Sequence, residues 1–115
     1  MLFPDHFLTV RATVRATVEA GREAEFNRWY DTEHMPDAVR MFKGCIGGAR
    51  YKVTDGDGSH QYMAIYAFES AEQLKAVLAG PEIKELIKIY DEAIGAFSTR
   101  ARTTYAKILQ HMKLS

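Results

Sequence analysis

The chain opens on alternation. Between Phe7 and Val18, the residues Leu8, Val10, Ala12, Val14, Ala16 and Val18 fall on one side, and Phe7, Thr9, Arg11, Thr13, Arg15 and Thr17 on the other. A period of two with one apolar side predicts a long strand over 7–18. After Glu19-Ala20-Gly21 the period changes, and Phe26, Trp29, Tyr30 and Glu33 recur at the three-and-four spacing of a helix face. Pro36 interrupts that pattern. Proline disfavours helical geometry for the residue before it and suits a first helical turn, so a helix ending near His34 and a short second piece over 36–41 are predicted. Gly44, Gly47 and Gly48 then mark a loop leading into a second strand over 49–53. Asp55-Gly56-Asp57-Gly58 reads as a hairpin, with a third strand over 60–68. Ser70 and Gln73 form a capping box, and Gly80-Pro81 ends that helix and starts the next. The next helix carries the stripe Ile83, Leu86, Ile87, Tyr90, Ile94 and Phe97, and alternation returns over 99–109 as a fourth strand.

The order βαββαβ with right-handed crossovers predicts an α+β, ferredoxin-like fold: a four-stranded antiparallel sheet with its helices on one face. The other face poses a problem. Thr9, Arg11, Thr13 and Arg15 share one side of the first strand, whereas the third strand is apolar or aromatic on both sides, Tyr62, Ala64, Tyr66 and Phe68 against Met63, Ile65 and Ala67. A mixed face of this kind is hard to leave in water, so a second copy of the chain, a homodimer, is expected to cover it. Length sharpens this. A chain of 115 residues is one domain, 1–115, and buries roughly 65% of its unfolded surface, a modest core that a twin would complete. Fifteen Lys+Arg balance fifteen Asp+Glu, so no global field gathers nucleic acid or membrane, and neither is expected as a partner. The single Cys45 cannot close an internal disulfide, the start of the chain has no positive leader, and no apolar run nears the roughly 18 residues of a membrane span. A cytoplasmic protein is expected.

The run Phe26-Asn27-Arg28-Trp29-Tyr30-Asp31-Thr32-Glu33-His34-Met35-Pro36-Asp37, then Phe42-Lys43-Gly44 and the strand Ala49-Arg50-Tyr51, resembles the dimeric α+β barrel superfamily, and within it the EthD-like branch. There a first helix commonly ends in a Tyr…His-x-Pro element, and a Pro-Gly turn leads into an Arg/Tyr-bearing strand. Lys43 stands here in place of that proline. The resemblance implies a dimeric α+β barrel with a cleft between each subunit's sheet and helices. Members of the superfamily include cofactor-independent monooxygenases, polyketide cyclases, muconolactone-type isomerases, dehydratases and haem-degrading oxygenases, so fold alone leaves the reaction open.

His34 is the first candidate for chemistry. A histidine that titrates near neutrality can take and return a proton, as enolisation, dehydration or aldol cyclisation requires. Glu33 or Asp37 could set its tautomer, and Glu33 is also a candidate for contacting substrate. The competing reading makes His34 a helix C-cap facing the negative end of the dipole. Tyr30 is paired with His34 as catalytic, and Trp29, Tyr51 and Tyr66 are candidates for binding a flat apolar substrate, although rings of this kind are also ordinary core. Arg11 and Arg15 could be joined by Arg100 or Arg102 from the adjacent fourth strand to bind an anion, or could belong to an ion-pair network at a dimer seam. Cys45 lacks the cationic neighbour that activates a thiol, while His6, His60 and His111 form no ligand spacing and the glycines no phosphate loop. No metal and no cofactor are therefore expected. Taken with the resemblance, these residues imply a cofactor-independent enzyme of lyase, cyclase or isomerase type, with His34 as general acid/base, acting on a small hydrophobic carbonyl compound, aromatic or polyketide-like. A cofactor-free monooxygenase and a non-catalytic dimeric binding or stress-response module are the alternatives.

Overall fold

A computed structural model of the chain describes residues 3–14, 22–58 and 60–113. Its elements are β1 (His6–Val14), α1 (Arg22–Trp29), a π-helical turn (Tyr30–His34), α2 (Met35–Met41), β2 (Cys45–Lys52), β3 (Tyr62–Phe68), α3 (Ala71–Ala79), α4 (Pro81–Ala93) and β4 (Ser98–Ala106). The four strands form one antiparallel sheet in the order β2-β3-β1-β4. This is the ferredoxin-like arrangement, with the helices on one face. The expected end of the first strand, with Arg15 to Val18 and the Glu19-Ala20-Gly21 stop, lies outside the described residues.

Core packing follows strand parity. Leu8 and Ala12 of β1 and Tyr62, Ala64, Tyr66 and Phe68 of β3 turn to the helices and are buried. They meet Phe26 of α1, Ala38 of α2, Leu74 and Val77 of α3, and Ile83, Leu86 and Tyr90 of α4. Ser70 Oγ accepts from the Gln73 backbone N–H at 3.2 Å and caps α3, as its sequence predicts. The opposite face presents Ile46, Tyr51 and Tyr105, all exposed, with Phe7 stacked on Tyr105 at 5.0 Å.

Two expected boundaries are corrected. The second strand begins at Cys45, four residues before the predicted start, because Gly47 and Gly48 pair with Ala67 and Tyr66 and belong to the sheet. Of these three glycines, only Gly44, with φ of +85°, makes the turn that glycine favours. Gly48 serves close approach instead, since a Cβ there would come within 3.1 Å of Val39 on α2. The second correction concerns the first helix, which does not stop at His34. Met35 is helical at φ −66° and ψ −45°, and its N–H reaches back five residues to the Tyr30 carbonyl. The wide turn before Pro36 absorbs the proline, whose ring would press on the carbonyl four residues earlier in a regular helix.

Candidate active site

The π turn decides which side chains face the sheet. Steps of four residues overshoot a full α-helical turn by about 40° each, so a regular helix continuing the Phe26, Trp29, Tyr30 face would turn Glu33 inward. Widening the turn holds back the phase. Tyr30, His34 and Ala38 then follow Phe26 into the interior, while Glu33 is exposed. Glu33 is accordingly absent from the cleft, a correction to the expectation drawn from regular spacing.

Arg50 on β2 clamps this turn to the sheet. Its guanidinium donates to Asp31 Oδ1 at 2.6 Å and to Asn27 Oδ1 at 2.8 Å, and lies 4.6 Å over the Tyr30 ring and 5.3 Å over that of Tyr62. From behind, Trp29 stacks on the His34 imidazole at 4.7 Å with the planes 19° apart. Tyr30 and Tyr90 meet the same imidazole edge-on at 4.9 and 5.9 Å. His34 is thus packed among three aromatic rings.

In front of it lies a cleft floored by β1, β3 and β4 and roofed by α4. Tyr30, His34, Tyr66, Tyr90, Arg100 and Arg102 are its polar lining, and Leu8, Val10, Ala38, Phe42, Ile83, Leu86 and Ile87 its apolar lining. Counting the open mouth, it contains about 460 Å³ of empty space. It is a narrow slot, with Arg102 exposed and Val10 and Ile87 partly buried among its lining residues.

Four buried polar atoms of the residues lining this slot have no hydrogen-bond partner: Tyr30 Oη, Tyr66 Oη, His34 Nδ1 and Arg100 Nε. The two hydroxyls are near enough to influence each other's ionisation but are not in hydrogen-bond geometry. Tyr90 differs. Its hydroxyl meets Ser98 Oγ at 2.8 Å, and Ser98 in turn donates to the Ile94 carbonyl at 2.7 Å. Burial pushes the Tyr30 phenol up to about 12 and that of Tyr66 higher, so both remain protonated donors. Burial also lowers His34 to about 4, with Asp37 opposing the shift and Arg100 reinforcing it. The imidazole is therefore neutral at physiological pH, which corrects the expectation of a group titrating near neutrality. No carboxylate hydrogen bonds to it among the described residues: Asp37 pairs with Arg40 at 3.2 Å.

The remaining candidates separate. Tyr66 is in the cleft, Trp29 supports it from outside, and Tyr51 is on the opposite face of the sheet, half exposed. Tyr51 pairs with Met63 and shares its parity, whereas Arg50, one residue earlier, faces the helices. The grouping of arginines is also corrected. Arg100 and Arg102 stand opposite Ala12 and Val10, so they face the helices, while Arg11 stands opposite Ala101 and faces away. Sequence reasoning missed Tyr90 as a wall of the cleft, and its place on the α4 stripe gave no signal beyond core. Cys45 is half-buried, its thiol donates to the Gly47 carbonyl at 3.4 Å, and burial raises its pKa, all against a reactive thiolate. Among the described residues, no three His, Cys, Asp or Glu side chains gather as a metal site, and no helix is long and apolar enough to cross a membrane.

No protein-family model matches the chain, and no curated protein matches it. Solved structures do. An ethyl tert-butyl ether D (EthD) family protein from Bacillus halodurans is 17% identical, with a TM-score of 0.56 over 84% of this chain and 96% of that one. A dimeric protein of ferredoxin-like fold from Bacteroides fragilis is 14% identical, with a TM-score of 0.61 over 89% and 95%. SnoaB, a cofactor-independent oxygenase from Streptomyces nogalater, is 17% identical, with a TM-score of 0.53 over 92% and 96%. At such identities the likeness is one of fold, a ferredoxin-like α+β arrangement shared along most of each chain.

Proposed function

We propose that the chain is a cofactor-independent enzyme that moves a proton on a small hydrophobic carbonyl compound, aromatic or polyketide-like, in a lyase, cyclase or isomerase reaction. The observation that carries this reading is the set of unpartnered atoms, Tyr30 Oη, Tyr66 Oη and His34 Nδ1, facing a slot whose other walls include Leu8, Val10, Ile83, Leu86 and Ile87. An unpaired buried polar group costs about 1–3 kcal/mol, so a cluster of them is a stored capacity to bind polar atoms of a ligand. Donors already aimed and dehydrated are also what stabilises charge that develops during a reaction.

The chemistry follows from the protonation states. Neutral His34 takes a proton from the carbon beside the substrate carbonyl, and the electron pair moves onto the carbonyl oxygen to give an enolate. Tyr30 and Tyr66 donate hydrogen bonds to that oxygen. The low proton affinity of the empty site rises as the enolate forms, because the new negative charge attracts the imidazolium. Trp29 supports the same state, its ring face lying against the imidazolium. The proton then returns to another carbon of the enolate, to a departing hydroxide as water, or to the alkoxide formed when the enolate attacks a second carbonyl. These three outcomes are isomerisation, dehydration and cyclisation.

Substituting His34→Ala is expected to reduce turnover about 10²- to 10⁴-fold on a substrate found by screening; undiminished turnover sinks the assignment. The likeness to a cofactor-independent oxygenase favours a second reading that shares the first step, with the carbanion reacting with dioxygen instead. Oxygen consumption during turnover separates the two. The reading includes a homodimer, supported by the exposed apolar side chains of the outer sheet face and of the segment beyond β4, where Ile108 and Leu109 are exposed. Sedimentation should give twice the chain mass.

A further inference from the structure

The slot holds more positive charge than proton transfer requires. Two arginines and no carboxylate are among its lining residues, although the chain as a whole balances fifteen positive side chains against fifteen negative ones. Arg100 is only partly answered. Its Nη2 donates to Asp91 Oδ1 at 3.3 Å and its guanidinium lies 5.0 Å over the Tyr90 ring, but its Nε is buried without a partner. Arg102 stands two residues along β4, about 7 Å away on the same face. It is exposed, and among the described residues it has no hydrogen bond or ion pair. Arg11, by contrast, is on the other face of the sheet.

A guanidinium offers a planar fork of donors that matches a carboxylate. Here one complete, exposed fork and, two residues along the same strand face, one spare buried Nε–H line a slot whose other walls are hydrocarbon, phenol and imidazole. We propose that the ligand of this cleft is an organic carboxylate. Its carboxylate pairs with Arg102 and the Arg100 Nε–H at the mouth, its hydrocarbon lies along Val10 and Ile87, and its carbonyl reaches Tyr30, Tyr66 and His34. The inference rests on the proposed use of the cleft as a substrate site and narrows the substrate class. Inorganic phosphate fits less well, because the apolar walls offer nothing to replace its hydration.

The chain contains one tryptophan, and it stacks on His34, so a single indole N–H resonance in a nitrogen-15 correlation spectrum reports on the cleft. The probes are 3-phenylpropanoate, 2-naphthoate and decanoate, each with its methyl ester, and inorganic phosphate. At least one acid is expected to shift the indole resonance and to bind tenfold or more tightly than its ester. Arg102→Gln should weaken that acid roughly tenfold to a hundredfold, the loss of a charge-assisted hydrogen bond, and leave the ester unchanged. Arg102→Lys should keep part of the affinity, and Arg11→Gln all of it. Equal affinity for acid and ester, equal weakening of both by Arg102→Gln, or binding of phosphate as tight as that of the acids overturns the carboxylate while leaving the cleft as a substrate site. If no probe of either kind moves the indole resonance, the carboxylate and the reading of the cleft fall together.

Discussion

Four tyrosines point from helix or strand into the space between the sheet and its helices, and they divide into two regions. At one end, the Tyr62 hydroxyl donates to Glu23 and accepts from Asn27 Nδ2 at 3.1 Å, and across the interface Tyr90 is tied to Ser98. Tyr30 and Tyr66 lie between them, each 2% exposed, with hydroxyls that bond to nothing in the protein. Burial and chemistry are nearly the same, so what differs is whether the fold has provided a partner. Where it has, the phenol is part of the scaffold. Where it has not, the hydroxyl is left with unmet hydrogen-bonding capacity beside His34 and the two arginines, in the cleft that Tyr90 also walls.

The largest effect expected from breaking this contrast is on His34. Its folded pKa, about 4, is below its ordinary 6.5. The unfolded chain therefore binds more protons between those values, and stability conferred by the neutral buried ring is full above about pH 6.5 and lost as pH falls towards 4. The loss is of order 3 kcal/mol. Denaturation midpoints measured from pH 7 to pH 4 should flatten in His34→Phe over that window; an unchanged pH slope would place His34 in a wetter setting. Next comes Arg50, which braces Tyr30 and Tyr62 alike. Arg50→Ala should cost about 2 kcal/mol in urea unfolding through the loss of charge-assisted hydrogen bonds and ring contacts. If turnover by the folded variant were untouched, Arg50 would have no positioning role.

Smaller effects of opposite sign separate the two kinds of tyrosine. Tyr90→Phe removes a satisfied buried hydrogen bond and should destabilise by about 1 kcal/mol. Tyr30→Phe and Tyr66→Phe remove unsatisfied hydroxyls and should leave stability unchanged or raise it by up to about 1 kcal/mol, while lowering turnover. Destabilisation of similar size in all three would erase the distinction between scaffold and site.

How these regions arise was partly visible before folding. The Ser70 cap and the Gly80-Pro81 break act within a few residues and stand where local spacing puts them, as do the β1 alternation up to Val14 and the α4 stripe up to Tyr90, while Ile94 and Phe97 of the expected stripe lie beyond the helix end at Ala93. His34, Tyr30 and Tyr66 were legible as candidates because their chemistry is a property of the side chain. Glu33 and Tyr51 were misplaced for different reasons. A π turn depends on bonds five residues apart and leaves no periodic trace, yet it exchanges Glu33 for His34 on the inner face. The faces of β2 depend on its pairing with β3, and glycines that look like a loop conceal where the strand begins.

The arginines mark the boundary most clearly. From the chain alone come four strands and their helices in order, one apolar side to each amphipathic element, and a supply of phenols, imidazole and guanidinium groups, because periodicity and side-chain chemistry are local. Which of those groups meet was settled only by tertiary pairing. The β1–β4 register sets Arg100 and Arg102 opposite Ala12 and Val10. One residue of slip turns every side chain of a strand to the other face, and these two arginines would then stand with Arg11, away from His34.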